Sequence, residues 1–221
     1  MGNPMKVVVR KAVIVEPPEP TWRGTRMQLN VPTDAAVFGI AVATLSEGTE
    51  AVTVDWGDGT ADVFSGGIDH ATHTYANTGR YEVLISDDVE SFGVNGETES
   101  APYSECVAWI EALESNAANL VEFKRYAFSG AASLTRIELD GSGVRHLVAG
   151  QFKDCTSLGG ALHFMNVTWV GSRKGTFVFT GCPDITEIHF AVENEEAITS
   201  LSQYQNDPTL GTGTAVCIFD L

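Results

Sequence analysis

The chain has 221 residues, 43% hydrophobic and 19% charged, with 22 glycines. That is enough apolar surface for a buried core, and the turn-rich composition favours strands over long helices and excludes disorder. Lysine and arginine total 13 against 29 acidic residues, a formal charge of −16, which repels nucleic acid and anionic membrane surfaces and removes both from the expected partners.

Between Met1 and Val15, Lys6, Arg10 and Lys11 interrupt the apolar run Val7-Val8-Val9. Neither the unbroken core of a signal peptide nor a membrane span, which takes about 20 apolar residues, is visible. Residues 5–15 read as an edge strand, stopped by Pro17-Pro18-Glu19-Pro20. Met27 to Val31 alternates as a short strand, and the apolar density from Ala36 to Leu45 reads as one central strand. Val52-Thr53-Val54-Asp55 enters Trp56-Gly57-Asp58-Gly59-Thr60, a hairpin signal because glycine reaches the positive φ of a tight turn. Gly79 followed by Tyr81, Val83 and Ile85 is a turn feeding a strand with one apolar face.

Trp56-Gly57-Asp58-Gly59, and later His73-Thr74-Tyr75 leading to Gly79-Arg80-Tyr81-Glu82-Val83, resemble the paired motifs of the polycystic-kidney-disease (PKD) domain over roughly residues 25–95. The resemblance implies an immunoglobulin-like β-sandwich that serves as a spacer or binding module in extracellular proteins. It also places a structural histidine at His73, which counts against a transition-metal site made of Asp69, His70 and His73. Asp55, Asp58 and Asp62 are calcium candidates, because hard cations want several oxygens at once. Their spacing does not fit an EF-hand loop, however, and the hairpin accounts for Asp58 without a metal, so no metal and no cofactor are expected.

From Ser91 to Pro102 the chain is polar and rich in glycine and acid, as connections between domains tend to be. A boundary near residue 97 divides a sandwich domain, 1–97, from a repeat domain, 98–221. Cys106-Val107-Ala108-Trp109-Ile110 reads as a short strand that starts and caps a stack. One pattern then returns three times: Phe128, Ala131, Leu134; Phe152, Cys155, Leu158; Phe179, Cys182, Ile185. Leu120 and Phe123 precede the first copy, Val144 and Leu147 the second, Val167 and Val170 the third, with the extra length of the last falling at Gly171–Gly175. An aromatic, a small residue and an aliphatic at fixed steps bury one edge of each coil against its neighbours, and loops absorb slippage. Cys155 and Cys182 take the place of Ala131, which makes them small buried residues, with a disulfide between coils as the alternative. The tail reads as a short helix over Ile198–Tyr204 and a final strand over Ala215–Phe219.

These copies resemble the bacterial surface-antigen, or BspA-like, leucine-rich repeats, whose pattern is Ala-Phe-x-x-Cys-x-x-Leu-x-x-Ile. The first copy departs at Ala131, and the second lacks the closing Leu-x-x-Ile step. The resemblance implies adhesion and host contact.

Glu138, His163 and His189 each fall between the inward apolar residues of their coils. They are expected as a row on the exposed sheet face, about 5 Å apart from strand to strand. Two imidazoles and a carboxylate can hold zinc, whereas a solvated ladder is the ordinary reading; the row is taken as the ligand-facing surface. Trp22, Trp109, Trp169 and Tyr204 could stack on sugars or serve as core and cap residues. No nucleophile elbow, metalloprotease helix, phosphate loop or dinucleotide fingerprint is present, so no enzyme is expected. The expectation is a mainly β chain, an immunoglobulin-like sandwich followed by a short capped leucine-rich repeat solenoid. Its expected role is a non-catalytic binding or adhesion module of a bacterial surface or secreted protein, taking a protein or glycan. No leader is visible in this sequence, which keeps a cytoplasmic or particle-associated structural component, such as a phage-encoded particle protein, as the alternative.

Overall fold

Strand pairing carries the N-terminal half of the chain directly into the repeats. The computed structural model describes residues 22–68, 70–95, 105–139, 141–171, 177–200 and 207–221. The strand expected over 5–15, the proline bend, Asp69, the boundary near residue 97, the loop at 172–175 and Tyr204 lie outside the described residues. The first half supplies β1 (Thr25–Val31), β2 (Ala36–Ile40), β3 (Val42–Leu45), β4 (Ala51–Asp55), β5 (Ala61–Ser65), β6 (Ala71–Tyr75), β7 (Gly79–Ile85) and β8 (Val89–Gly93). The repeats supply β9 (Ile110–Ser115), β10 (Glu122–Phe123), β11 (Arg136–Glu138), β12 (His146–Leu147), β13 (Gly159–His163), β14 (Trp169–Val170), β15 (Asp184–Ala191) and β16 (Val216–Asp220).

One sheet has the order β11-β9-β1-β7-β4-β5, a second β14-β12-β10-β8-β3, a third β13-β15-β16, and β2 pairs with β6. β9 runs antiparallel to β1, Met27 opposite Leu113, and parallel to β11, Ile137 opposite Leu113. β10 runs parallel to β8, Phe123 opposite Phe92, and β12 and β14 follow in the same direction. The first coil thus adds a strand to each of two sheets already begun by the N-terminal half, the second repeats the step with β11 and β12, and the third extends only the second sheet while its β13 opens a separate three-stranded one, giving a mainly β, solenoid-like stack. The buried residues of both halves form one cluster.

Two expected elements differ. Cys106–Trp109 is a 3-10 turn that buries Cys106 and Val107. The strand is Ile110–Ser115, and it lies inside the sheet between β1 and β11 rather than capping an end. Residues 36–45 make two strands, not one: β2 pairs with β6 and β3 with β8. The run is apolar because Phe38, Ile40, Ala41 and Ala43 are all buried as the chain passes from one pairing to the other.

Inside the stack, the rings of Phe128 and Phe152 lie 5.5 Å apart at 7°, and those of Phe152 and Phe179 5.6 Å apart at 10°. Phe92, from β8, meets Phe123 and Phe128 edge-on at 5.1 and 6.0 Å, so the N-terminal half closes this end of the ladder. The residue before each small position is left-handed: Gly130 at φ +83°, Asp154 at +59°, Gly181 at +82°. Glycine takes that φ without strain, and at Gly181 a Cβ would in addition collide with Asp154 in the coil below. Cys155 and Cys182 are free thiols, each donating to the carbonyl of the preceding coil's phenylalanine, Phe128 at 3.3 Å and Phe152 at 2.9 Å. Burial, with the neighbouring Cys182 thiol, pushes the Cys155 pKa well above the ordinary thiol value, so its proton stays in that hydrogen bond. β16 pairs in parallel with β15, the final strand expected of the tail. A short helix over Glu195–Thr199 buries Ile198.

Candidate functional site

The two motifs of the first half meet in one network. The hairpin between β4 and β5 turns through Gly57 at φ +80° and Gly59 at φ +90°. Trp56 stacks on His73 at 5.1 Å, His73 Nε2 bonds Asp58 Oδ2 at 2.7 Å, and the Tyr75 hydroxyl donates to the Trp56 carbonyl at 2.9 Å. The three calcium candidates are occupied by this turn. Asp55 accepts from the Gly57 N–H at 2.9 Å, Asp62 from Trp56 Nε1 at 2.8 Å, and Asp58 from the Thr60 N–H and hydroxyl at 3.0 and 2.6 Å. The Thr60 hydroxyl, aided by His73 and opposed by partial burial, holds the Asp58 carboxyl below its usual value of 3.8. A depressed carboxyl stabilises the fold above its unfolded pKa and loses that contribution as pH falls through the folded one. Asp58→Asn is therefore expected to lower the melting temperature at neutral pH, and the gap from wild type should close as pH drops below 3.8. Thermal unfolding across pH checks this; a gap that persists in acid would assign the loss to geometry rather than charge.

A larger feature lies where the two halves join. A hollow of about 590 Å³ opens on the face of the six-stranded sheet, lined by Gln28, Arg80, Tyr81, Glu111, Thr135 and Arg136 among others. A second, of about 220 Å³, shares Thr135 and Arg136 with it and continues past Glu138 to His163. The face is built of paired charges: Arg26 with Glu82 at 3.0 Å, Arg80 with Glu111 at 3.1 Å, and Arg136 with both Glu114 and, at 2.9 Å, Glu138. In a chain of net charge −16, three arginines thus gather on one surface, presenting guanidinium and carboxylate groups side by side. Such a lining suits a polar ligand with donors and acceptors of its own.

Comparison of the chain with protein-family models, curated proteins and solved structures gave no match.

The expected row of Glu138, His163 and His189 is half formed. His163 stands opposite His189 in the β13–β15 pairing, their rings stacked at 4.4 Å. Glu138 lies across the smaller hollow, ion-paired to Arg136, because β11 belongs to the six-stranded sheet and β13 to the three-stranded one. That break coincides with Gly159-Gly160 at the head of β13, where Gly160 takes φ +77° and the register against β15 shifts. Two carboxylates not anticipated from the repeats stand beside the histidines: Asp220 Oδ2 at 2.6 Å from His189 Nδ1, and Glu187 Oε2 at 3.1 Å from His189 Nε2. Glu187 was open to detection, since it precedes His189 by two in an alternating strand and so shares its face. Partial burial alone would lower the His189 pKa, but the Asp220 and Glu187 carboxylates outweigh it and hold the value above the ordinary one.

Of the aromatic candidates, Trp22 lies under the Arg26 guanidinium at 4.2 Å and Trp109 tilts against Phe38 at 6.4 Å. Trp169 is 40% exposed, with His146 edge-on at 5.5 Å, on the second sheet and away from the charged hollow. No helix among the described residues is long and apolar enough to cross a membrane.

Proposed function

We propose that the chain is a non-catalytic binding module that recognises a protein or glycan on the charged hollow spanning both halves. In this reading the N-terminal half is an immunoglobulin-like sandwich of the PKD type, the C-terminal half a BspA-like leucine-rich repeat array, and the whole part of a bacterial surface or secreted adhesin. One observation carries the reading: the hollow is lined jointly by β1 and β7 of the first half and by β9, β11 and the loop before β11 of the second. A rigid sheet face with fixed arginine–carboxylate pairs recognises by complementarity, and arginine and tyrosine are the residues that most often dominate such contacts.

The experiment is binding of the intact 221-residue protein to arrays of glycans and extracellular-matrix proteins. Saturable binding is expected, weakened about tenfold or more by Arg136→Ala and by the combined Glu138→Ala, His163→Ala and His189→Ala variant. A combined variant that folds normally and keeps all binding removes the histidine row from the ligand surface. If the intact protein binds nothing on the arrays, the module reading gives way to that of a structural component of a larger assembly.

A further inference from the structure

We propose that His163, His189 and Asp220 bind one divalent transition-metal ion of the zinc class at the C-terminal end of the array. The three residues come from adjacent parallel strands β13, β15 and β16, and their candidate ligand atoms all lie within 4.8 Å of one another. Ligands on one tetrahedral ion, with bonds of about 2.0–2.1 Å, stand roughly 3.3 Å apart, so small side-chain rotations that open the 2.6 Å contact of Asp220 with His189 and draw in the wider pairs seat the ion.

The hydrogen bonds around His189 supply the second argument. Its Nε2 faces Glu187 at 3.1 Å while its Nδ1 faces Asp220 at 2.6 Å. With Glu187 accepting the Nε2 proton, Nδ1 is the nitrogen that faces Asp220, with a proton shared between them. A metal ion entering there displaces the proton between Nδ1 and Asp220, and both groups become ligands. Glu187 then keeps the ring oriented from behind, in the carboxylate–histidine–metal arrangement that raises ligand basicity. His163 makes no hydrogen bond among the described residues and is exposed, so its ring nitrogens are available to complete three ligands. A fourth position is open to water or an incoming donor. Two imidazoles with one carboxylate select zinc, copper, nickel or cobalt over calcium and magnesium, which want oxygen throughout. This proposal does not depend on what the hollow binds.

The test is calorimetric titration of zinc chloride into the intact protein, tag removed and stripped with a chelator, at about pH 7.5. One zinc per chain is expected, and at zinc concentrations about 100-fold above Kd the melting temperature should rise by about 5–10 °C. His163→Ala and Asp220→Asn should each weaken binding by about 100-fold or more, and Glu187→Gln by about 10–100-fold. Cobalt substitution should give weak visible d–d bands without thiolate charge transfer, since no cysteine is among the three ligands. Circular dichroism of the metal-free variants shows whether each is folded. No saturable zinc binding, or binding unchanged in both His163→Ala and Asp220→Asn, would overturn the proposal, as would calcium binding equal to zinc.

Discussion

Replacing Phe152 with alanine is expected to lower the melting temperature by about 6–20 °C, the largest effect of any single ring in the stack. Phe152 is fully buried and stacks on Phe128 to one side and Phe179 to the other. Truncating a buried phenylalanine costs about 3–5 kcal/mol, because lost transfer energy adds to the cavity left behind. In a chain of this size each kcal/mol shifts the melting point by about 2–4 °C. Collapse is resisted here, since the backbone on both sides is fixed by bonds such as Phe128 N–H to the Gln151 carbonyl at 2.9 Å and Phe152 N–H to the Val178 carbonyl at 3.1 Å. Thermal unfolding followed by circular dichroism measures the loss. A change below about 3 °C would mean that the ladder is loosely packed, and Phe152→Leu, which keeps most of the volume, should lose far less than alanine.

The second large effect concerns the halves taken apart. A fragment of residues 105–221 is expected not to fold cooperatively. Cutting it free strips β1 from one edge of β9 and β8 from β10, leaving rows of unpaired backbone groups. It also removes Phe92 from Phe123 and Phe128, and the Val94 and Asn95 N–H groups that bond the Ala127 carbonyl at 3.2 and 3.0 Å. Exposed strand edges beside exposed rings are a template for aggregation. The intact chain, with one core, should instead melt in a single transition by both far-ultraviolet and tryptophan signals. A fragment that gave dispersed amide resonances and a sharp melt would show that the repeats carry their own stability. Binding assays therefore belong on the intact protein.

The repeats were legible because their period is written in side chains that must meet. Phe128, Phe152 and Phe179 sit in one stack, and Phe123, Leu147 and Val170, aligned from the sequence by their offsets, occupy consecutive strands of one sheet. The turn at Asp58 was equally readable, because only glycine takes the φ of Gly57 and Gly59 cheaply. What local patterns could not carry was the pairing of β1 with β9, residues far apart in sequence whose alternation suits many partners. The same ignorance made Cys106–Trp109 look like a cap, and hid the junction where the hollow forms. At the candidate site, His163 and His189 followed from the repeat register, but Asp220 did not, since its strand carries no repeat signature. Glu138 was misplaced because a sheet break at Gly159-Gly160 leaves no mark beyond two glycines.

Since β9 and β10 are templated by β1 and β8 while each later coil touches only its neighbours, the junction and the length of the array are separate variables. Inserting a further coil after the second would extend the sheet by about 4.8 Å and add one more rung of side chains. The first, arginine-rich hollow would be untouched. The histidine end would simply be carried outward, so that the chain behaves as an adjustable arm fixed at one end.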